Sequence, residues 1–331
     1  MRYDLMTIGR VSMDLFSLQI GAPFSQIESF ESSVGGSPTN IAIGSSRLGL
    51  NTIAMTAVGD DLVGDFVLRY LADENVNTDF IPRKPDARTG LAILGIEPPD
   101  RFPLVFYREN PADIHLSIDD MLNAPITDCR AILLSGTALS RGTCRDATHF
   151  ATEIASQAET TVFMDLDVRP DQWQHPLAYG INVRSLLHNV DVIIGTEEEF
   201  YATLAPHPEP VMQGQSLDEA MKQDGLALID RFHEKHPQAT IVLKRGAEGV
   251  RIYHNDGTDD IAGFPVDVVN TVGAGDAFAS GLIYGNLQGW NWHKAGQFAN
   301  ACGAIVVTRH GCSQAMPSRS EVETFISQHT K

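Results

Sequence analysis

Apolar residues along this chain gather in short runs closed by Gly, Asp or Asn: YDLMTIG, TIAMTAVG, AILLSG, TVFMDLD, VDVIIG and TIVLKRG. Runs of this length between turn residues read as buried strands. Longer segments of helical spacing separate most of them, over residues 40–48, 62–74, 143–157, 217–235, 275–288 and 293–308. Strand then helix, repeated, predicts an α/β fold with a mostly parallel sheet covered on both faces. Ligands of such sheets gather at the carboxyl ends of the strands, where the Gly- and Asp-rich turns fall.

Two regions break the alternation. GRVSMDLFSLQIG and TGLAILGIEPPDRFPLVFYREN read as strands with no helix between them. They predict a small β lid over the crevice, formed by about residues 10–35 and 88–112, on a single domain spanning 1–331. Residues 206–215, rich in Pro and Gly, read as an irregular surface loop.

Charge narrows the partners. The 331 residues carry 24 Lys+Arg against 42 Asp+Glu, a formal charge of −18. Such a field repels nucleic acid and anionic membrane, so neither is expected as a partner. An anionic ligand would have to be held by local donors: a few arginines, a helix N-terminus or a metal. Cys129, Cys144, Cys302 and Cys312 form no C-x-x-C pair and suggest reduced thiols. No run approaches the ~20 apolar residues of a bilayer span, and no secretory leader is evident, so a cytoplasmic location is expected.

The stretch NTVGAGDAFASG places Gly273, Ala274 and Gly275 directly before Asp276, at the mouth of a helix. Bare residues there let several amide N–H groups converge beside the positive end of the helix dipole, which suits an anion. Asp276 could then take a proton from a hydroxyl as a phosphoryl group is transferred to it. The residues alone leave a second reading open, a plain strand-to-helix turn with Asp as a first-turn stabiliser. In VGGSPTNIAIGSSRLG, Gly35 and Gly36 open a backbone surface, and Asn40 can donate and accept at one point of a polyhydroxylated ligand. Alternatively, Ser37 or Thr39 merely caps a helix.

In this order and spacing the two motifs resemble the ribokinase-like, PfkB-type carbohydrate kinases. The resemblance extends over nearly the whole chain, through the early GR strand and ANACGAIVVTRHG near the end. It implies a three-layer α/β/α ribokinase-like fold with a β lid, and ATP-dependent phosphorylation of an alcohol. The residue matching Asp276 is the family's base, Gly273, Ala274 and Gly275 match its anion hole, and Gly35, Gly36 and Asn40 match sugar-contacting positions. Asp14 matches an aspartate that accepts from sugar hydroxyls. KRGAEGV resembles the nucleotide turn, assigning Lys244, Gly246 and Gly249 to ATP, with Asn300 on an adenine-lining helix. In GTEEEF, Thr196 stands where the family usually has Asn, while Glu199 keeps the glutamate of the Mg2+–water network. Asn270 stands where some members carry an aspartate near a K+ site, so K+ is a further cofactor the resemblance allows.

Two arginines bear on the acceptor. Arg108 in FPLVFYREN and Arg169 in DLDVRPDQW could reach a substrate carboxylate or keto oxygen, pointing to a sugar acid, or each could instead form a surface salt bridge. Within the family these stretches look most like the 5-dehydro-2-deoxygluconokinases of inositol catabolism, with the 2-dehydro-3-deoxygluconokinases next. FMDLDV also resembles the opening of haloacid-dehalogenase phosphatases, which would make Asp165 a nucleophile. A sugar or nucleotide sensor of the same fold is the non-enzymatic alternative. The sequence does not fix the oligomeric state, although exposed lid strands offer an edge that a second subunit could cover in a homodimer.

Overall fold

The computed structural model describes residues 2–97 and 102–329, so residues 98–101 of the expected lid lie outside the described residues. Nine strands form the central sheet. From one edge they run Val76–Asn77, Thr52–Met55, Tyr3–Ile8, Cys129–Ser135, Thr161–Asp165, Val192–Thr196 and Thr240–Lys244, all parallel. Val250–His254 and Gly257–Ile261 then complete the sheet as antiparallel strands. The parallel strands are buried almost throughout, which explains why they read as continuous apolar runs rather than alternations.

Helices cover both faces. One face buries Met6, Ile8, Ile132, Leu134, Met164 and Ile193 with Tyr179 and Phe200. The other buries Leu5, Leu133, Phe163, Ile194 and Val242 beneath Ala274–Leu287 and Trp292–Val307. Alternate residues of each strand thus enter opposite layers, as a pleated sheet requires. The expected helices appear close to their predicted ends, as Ser37–Arg47, Leu62–Asp73, Thr143–Gln157, Glu219–Lys235, Ala274–Leu287 and Trp292–Val307. Residues 206–215 differ from expectation: Glu209–Met212 forms a helical turn because Val211 and Met212 bury their side chains.

Chain order around the sheet reverses between Tyr3–Ile8 and Cys129–Ser135, since the chain builds outward from Tyr3–Ile8 first one way and then the other. A crevice opens at such a reversal, at the carboxyl ends of the strands. Arg10, Asp165, Thr196 and Lys244 stand at those ends.

A separate four-stranded sheet, in the order Phe30–Gly35, Ser12–Ser17, Gly90–Leu94 and Leu104–Tyr107, stands over the crevice as the lid. Its middle pair is parallel and its outer pairs antiparallel. Phe16, Ala92, Leu94 and Ile96 pack with Cys312 beneath it. Leu104, Val105 and Tyr107 on its edge strand are exposed. Among the described residues no helix is long and apolar enough to cross a membrane, and all four cysteines are buried and unpaired.

Candidate active site

The crevice is a cavity of about 880 Å³ bounded by the sheet ends, the lid and the start of helix Ala274–Leu287. Its walls include Arg10, Asp14, Gly36, Asn40, Asp165, Asp167, Arg169, Gly273, Gly275 and Asp276. A second cavity of about 720 Å³ adjoins it. Thr196, Lys244, Thr271 and Gly275 line both, so the two meet at the glycine turn.

Gly273 precedes the helix with φ of +86°, and a Cβ there would lie 2.5 Å from the Cys312 Sγ, so only glycine fits. The helix then begins at Ala274, whose N–H turns back onto the Thr271 carbonyl at 3.3 Å. Ala274 is therefore a wall of the second cavity rather than a free donor. The N–H groups of Gly275 and Asp276, at the next two positions, precede the first turn's own acceptors and face the cavity end of the dipole. A Cβ on Gly275 would sit 3.5 Å from the Lys244 Nζ, which brings an ammonium beside those amides.

Asp276 is partly exposed, lining the cleft rather than the packed interior. Its Oδ2 accepts a 2.7 Å hydrogen bond from the Asn40 Nδ2. Burial raises its pKa above the ordinary carboxylate value, and the Asn40 hydrogen bond acts in the opposite direction. Asn40 also donates to the Cys312 Sγ at 3.0 Å, while its Oδ1 is buried with no protein partner.

Gly35 and Gly36 play different parts. Gly36, with φ of +104°, lines the cavity and lies against the Arg10 carbonyl. Gly35 does not line it: a Cβ there would fall within 2.5 Å of all three carboxyl atoms of Asp14. The expected sugar contact by Gly35 is thus corrected to making room for Asp14. Asp14 is buried at the cavity wall and accepts from the Ser12 Oγ at 2.6 Å, with burial pushing its pKa up to about 6.

The arginine expectation divides likewise. Arg169 lines the cavity and pairs with Asp167 at 3.1 Å. Arg108 does not line it. Its guanidinium donates to both Asp113 oxygens at 2.9 Å and to the Val11 carbonyl at 3.0 Å, a bidentate anchor beneath the lid. The residue in the cleft is instead Arg10, which the chain's GR dipeptide contains and which its apolar surroundings conceal.

Asp165 and Asp167 both line the cavity; the sequence marked Asp165 only as the nucleophile of the phosphatase reading and gave Asp167 no role. Asp165 accepts from Ser37 at 3.1 Å and pairs with Lys244 at 3.2 Å. Burial pushes it up to about 7 in spite of the ammonium. These ties to Lys244 and to Ser37 at the start of helix Ser37–Arg47 make it an ion-pair partner rather than a phosphatase nucleophile. Asp167 has φ of +35°, unusual for a residue with a side chain. Two hydroxyls, Ser135 and Thr137, bond its Oδ2 at 3.0 and 3.1 Å. Although burial opposes ionisation, Arg169 and Arg10 with these hydroxyls bring its pKa down to about 2.

Lys244 spans Asp165 at 3.2 Å and Glu199 at 3.6 Å. Thr196 and Glu199 form a capping box at the start of Glu197–Leu204, and Glu199 also accepts from the Val168 N–H at 3.2 Å. That box explains how Thr can stand where Asn was expected: its hydroxyl caps the helix. Among the described residues no group of three His, Cys, Asp or Glu side chains could hold a metal ion. Asn270 donates through Nδ2 to the Gly311 carbonyl and accepts through Oδ1 from the Val272 N–H, both at 3.0 Å, so this neutral amide is held at both ends within the loop.

The second cavity is a slot of Phe264, Pro265, Val266, Val268, Phe278, Ala304 and Val307 with Gly246, Gly249 and Gly263. A Cβ on Gly249 would strike the Ile261 carbonyl at 2.1 Å, so this glycine permits the close backbone approach that shapes the slot. Asn300 reaches the same wall by donating to the Ile261 and Ala262 carbonyls at 3.2 and 3.1 Å. An apolar slot of this size ending at a helix N-terminus and an ammonium has the form of a site for a flat ring joined to phosphates.

Comparison with known proteins agrees with this geometry. The profile of the pfkB family carbohydrate kinases matches residues 2–319. The 5-dehydro-2-deoxygluconokinase of Bacillus anthracis (strain CDC 684 / NRRL 3495) is 36% identical over 326 residues, covering 98% of this chain and 95% of that protein. The 5-dehydro-2-deoxygluconokinase of Bacillus thuringiensis (strain Al Hakam) is 37% identical over 325 residues, covering 98% and 94%. An E. coli protein assigned as a ribokinase II, crystallised with ATP and Mg2+, superposes with a TM-score of 0.82 at 25% identity, covering 99% of this chain and all of that one.

Proposed function

The chain belongs to the pfkB family of carbohydrate kinases, and on that premise we propose that it transfers the γ-phosphoryl group of ATP to the terminal C6 hydroxyl of 5-dehydro-2-deoxy-D-gluconate. The products are the 6-phosphate and ADP, a step of inositol catabolism. The observation that carries this reading is the meeting of the two cavities at Gly275, with Asp276 on the acceptor side. The identity of about 36% to proteins named for this acceptor supports the choice of acid.

Asp276 Oδ takes the hydroxyl proton as the acceptor oxygen bonds to phosphorus and the bond to the ADP oxygen breaks. The amides at Gly275 and Asp276 and the Lys244 ammonium stabilise the charge gathering on the transferring oxygens. Asn40 and Asp14 hold the sugar hydroxyls, and Asn40 fixes the rotamer of the base. Mg2+ accompanying the nucleotide would supply charge neutralisation. The oxygens of Glu199 are engaged with two backbone amides and Lys244, so this residue suits a water-mediated role in which the phosphates provide the direct ligands.

Turnover of 5-dehydro-2-deoxygluconate against 2-dehydro-3-deoxygluconate tests the acceptor; a higher kcat/KM for the latter would exclude the first. Asp276→Asn tests the chemistry. It removes about 10²–10⁴ of kcat while nucleotide and acid still bind by calorimetry, and retention of near-normal turnover would overturn the role of this base.

A further inference from the structure

Arg10 is only 8% exposed, yet its guanidinium donates no hydrogen bond to any described residue. Its nearest acid, Asp167, stands at 3.7 Å, beyond hydrogen-bond reach, and its Nε is buried without a partner. Buried donors are nearly always matched, so a guanidinium with no matched N–H group requires an explanation. The side chain forms part of the cavity wall together with Asp14, Asn40 and Arg169. On its other side it lies over the Phe106 ring of the lid, 5.8 Å from the ring centre.

The charges around it do not balance. Arg108 is matched by Asp113, whereas Arg10 and Arg169 share the single carboxylate of Asp167. Asp167 accepts hydrogen bonds from two hydroxyls and pairs closely with Arg169, so Arg10, at 3.7 Å, shares its field without a hydrogen bond to it. Asp14 lies within electrostatic range, but its close hydrogen bond is to Ser12.

We infer that Arg10 is the specificity-determining residue of the acceptor site, its guanidinium, ion-paired at 3.7 Å but free of hydrogen bonds to described residues, binding the carboxylate of an acidic sugar in the cavity that Asp276 also lines. A planar guanidinium presents two parallel N–H groups to a carboxylate, which a neutral alcohol at the same carbon cannot accept equally. The Arg10 guanidinium lies over the Phe106 ring, which places this contact against the lid. The inference rests on the acid-acceptor reading above and extends it to a residue the motif comparison did not select.

The test compares Arg10→Gln with the wild type on two acceptors, the sugar acid and the neutral compound whose C1 carboxylate is reduced to an alcohol. The expected result is a fall of about 10- to 100-fold in the kcat/KM ratio of acid to alcohol, carried mainly by KM, with Arg10→Lys intermediate. Thermal melting of each variant separates loss of the fold from loss of recognition. Equal losses on both acceptors, or an unchanged ratio, would overturn the inference. A wild type that prefers a different sugar acid corrects the named acceptor alone, since the ratio is then read on that acid and decides on Arg10 there. A wild type that phosphorylates alcohol and acid equally removes Arg10's role while leaving the kinase chemistry of Asp276 standing.

Discussion

Asn40 and Asp276, 236 positions apart, meet through a 2.7 Å hydrogen bond that ties helix Ser37–Arg47 to helix Ala274–Leu287. Tight packing between Ser37–Arg47 and Ala274–Leu287 holds that distance, for a Cβ on Gly44 would come within 2.4 Å of the Ser280 hydroxyl. In the proposed mechanism, the base is therefore positioned by the same residue that holds the sugar.

This link sets the pH profile. Asp276 must be ionised to accept a proton, so activity falls as pH drops through its pKa, which burial places above the usual carboxylate range. Asn40 favours the ionised form, and Asn40→Ala removes that help. The acid limb of kcat is expected to move to higher pH in Asn40→Ala, along with a raised acceptor KM. A pH–rate series on both proteins checks this, and a limb moving to lower pH would contradict the assigned direction.

Asp14 predicts a trade between activity and stability. Its pKa is raised to about 6 by burial, from 3.8 in the unfolded chain. A carboxyl raised on folding contributes full stability below the unfolded value and loses it as pH rises through the folded one, so above pH 6 its ionised form is a cost. The shift corresponds to a penalty on the order of 3 kcal/mol. Asp14→Asn is expected to melt higher than wild type at about pH 8, with the advantage vanishing as pH falls from about 6 to about 4, while kcat/KM for the acceptor drops. Melting curves across this range decide it; a variant less stable on the alkaline side would show that the carboxylate is better matched than its burial implies.

Much of this fold was legible in the sequence because parallel strands buried on both faces leave unbroken apolar runs, and because Asp, Asn and Thr mark helix starts. Asp61, for instance, caps Leu62–Asp73 by accepting from the Gly64 N–H at 2.7 Å. The glycine turn and Asn40 were legible through their motifs. Of the arginines, Arg169 was legible, whereas Arg108 and Arg10 were not, because sequence gives an arginine's presence but not its partner. Arg108 and Asp113 are five positions apart and neutralise one another, whereas Arg10 owes its isolation to Asp167, whose oxygens are claimed by Ser135, Thr137 and Arg169. Gly35 misled for a related reason: its missing side chain makes space for Asp14, on the neighbouring lid strand, rather than for a ligand.

The two glycines of the phosphate turn should respond differently to the same methyl group. Gly273 has φ of +86°, and its Cβ would meet the Cys312 Sγ at 2.5 Å. Gly273→Ala therefore incurs about 1–2 kcal/mol for the left-handed backbone in addition to the clash, and is expected to lower the melting temperature. Gly275 lies within the helix, and its Cβ would have only the Lys244 Nζ nearby, at 3.5 Å, so Gly275→Ala should fold as well as wild type. The new methyl would stand where both cavities meet, which on the proposed mechanism lies between the donor phosphates and the acceptor oxygen. A displacement of about 1 Å there costs on the order of 10²-fold in rate. Gly275→Ala is thus expected to lose kcat by that factor at unchanged melting temperature, measured by steady-state kinetics beside differential scanning calorimetry. Full activity in Gly275→Ala would mean that phosphoryl transfer takes place away from this junction.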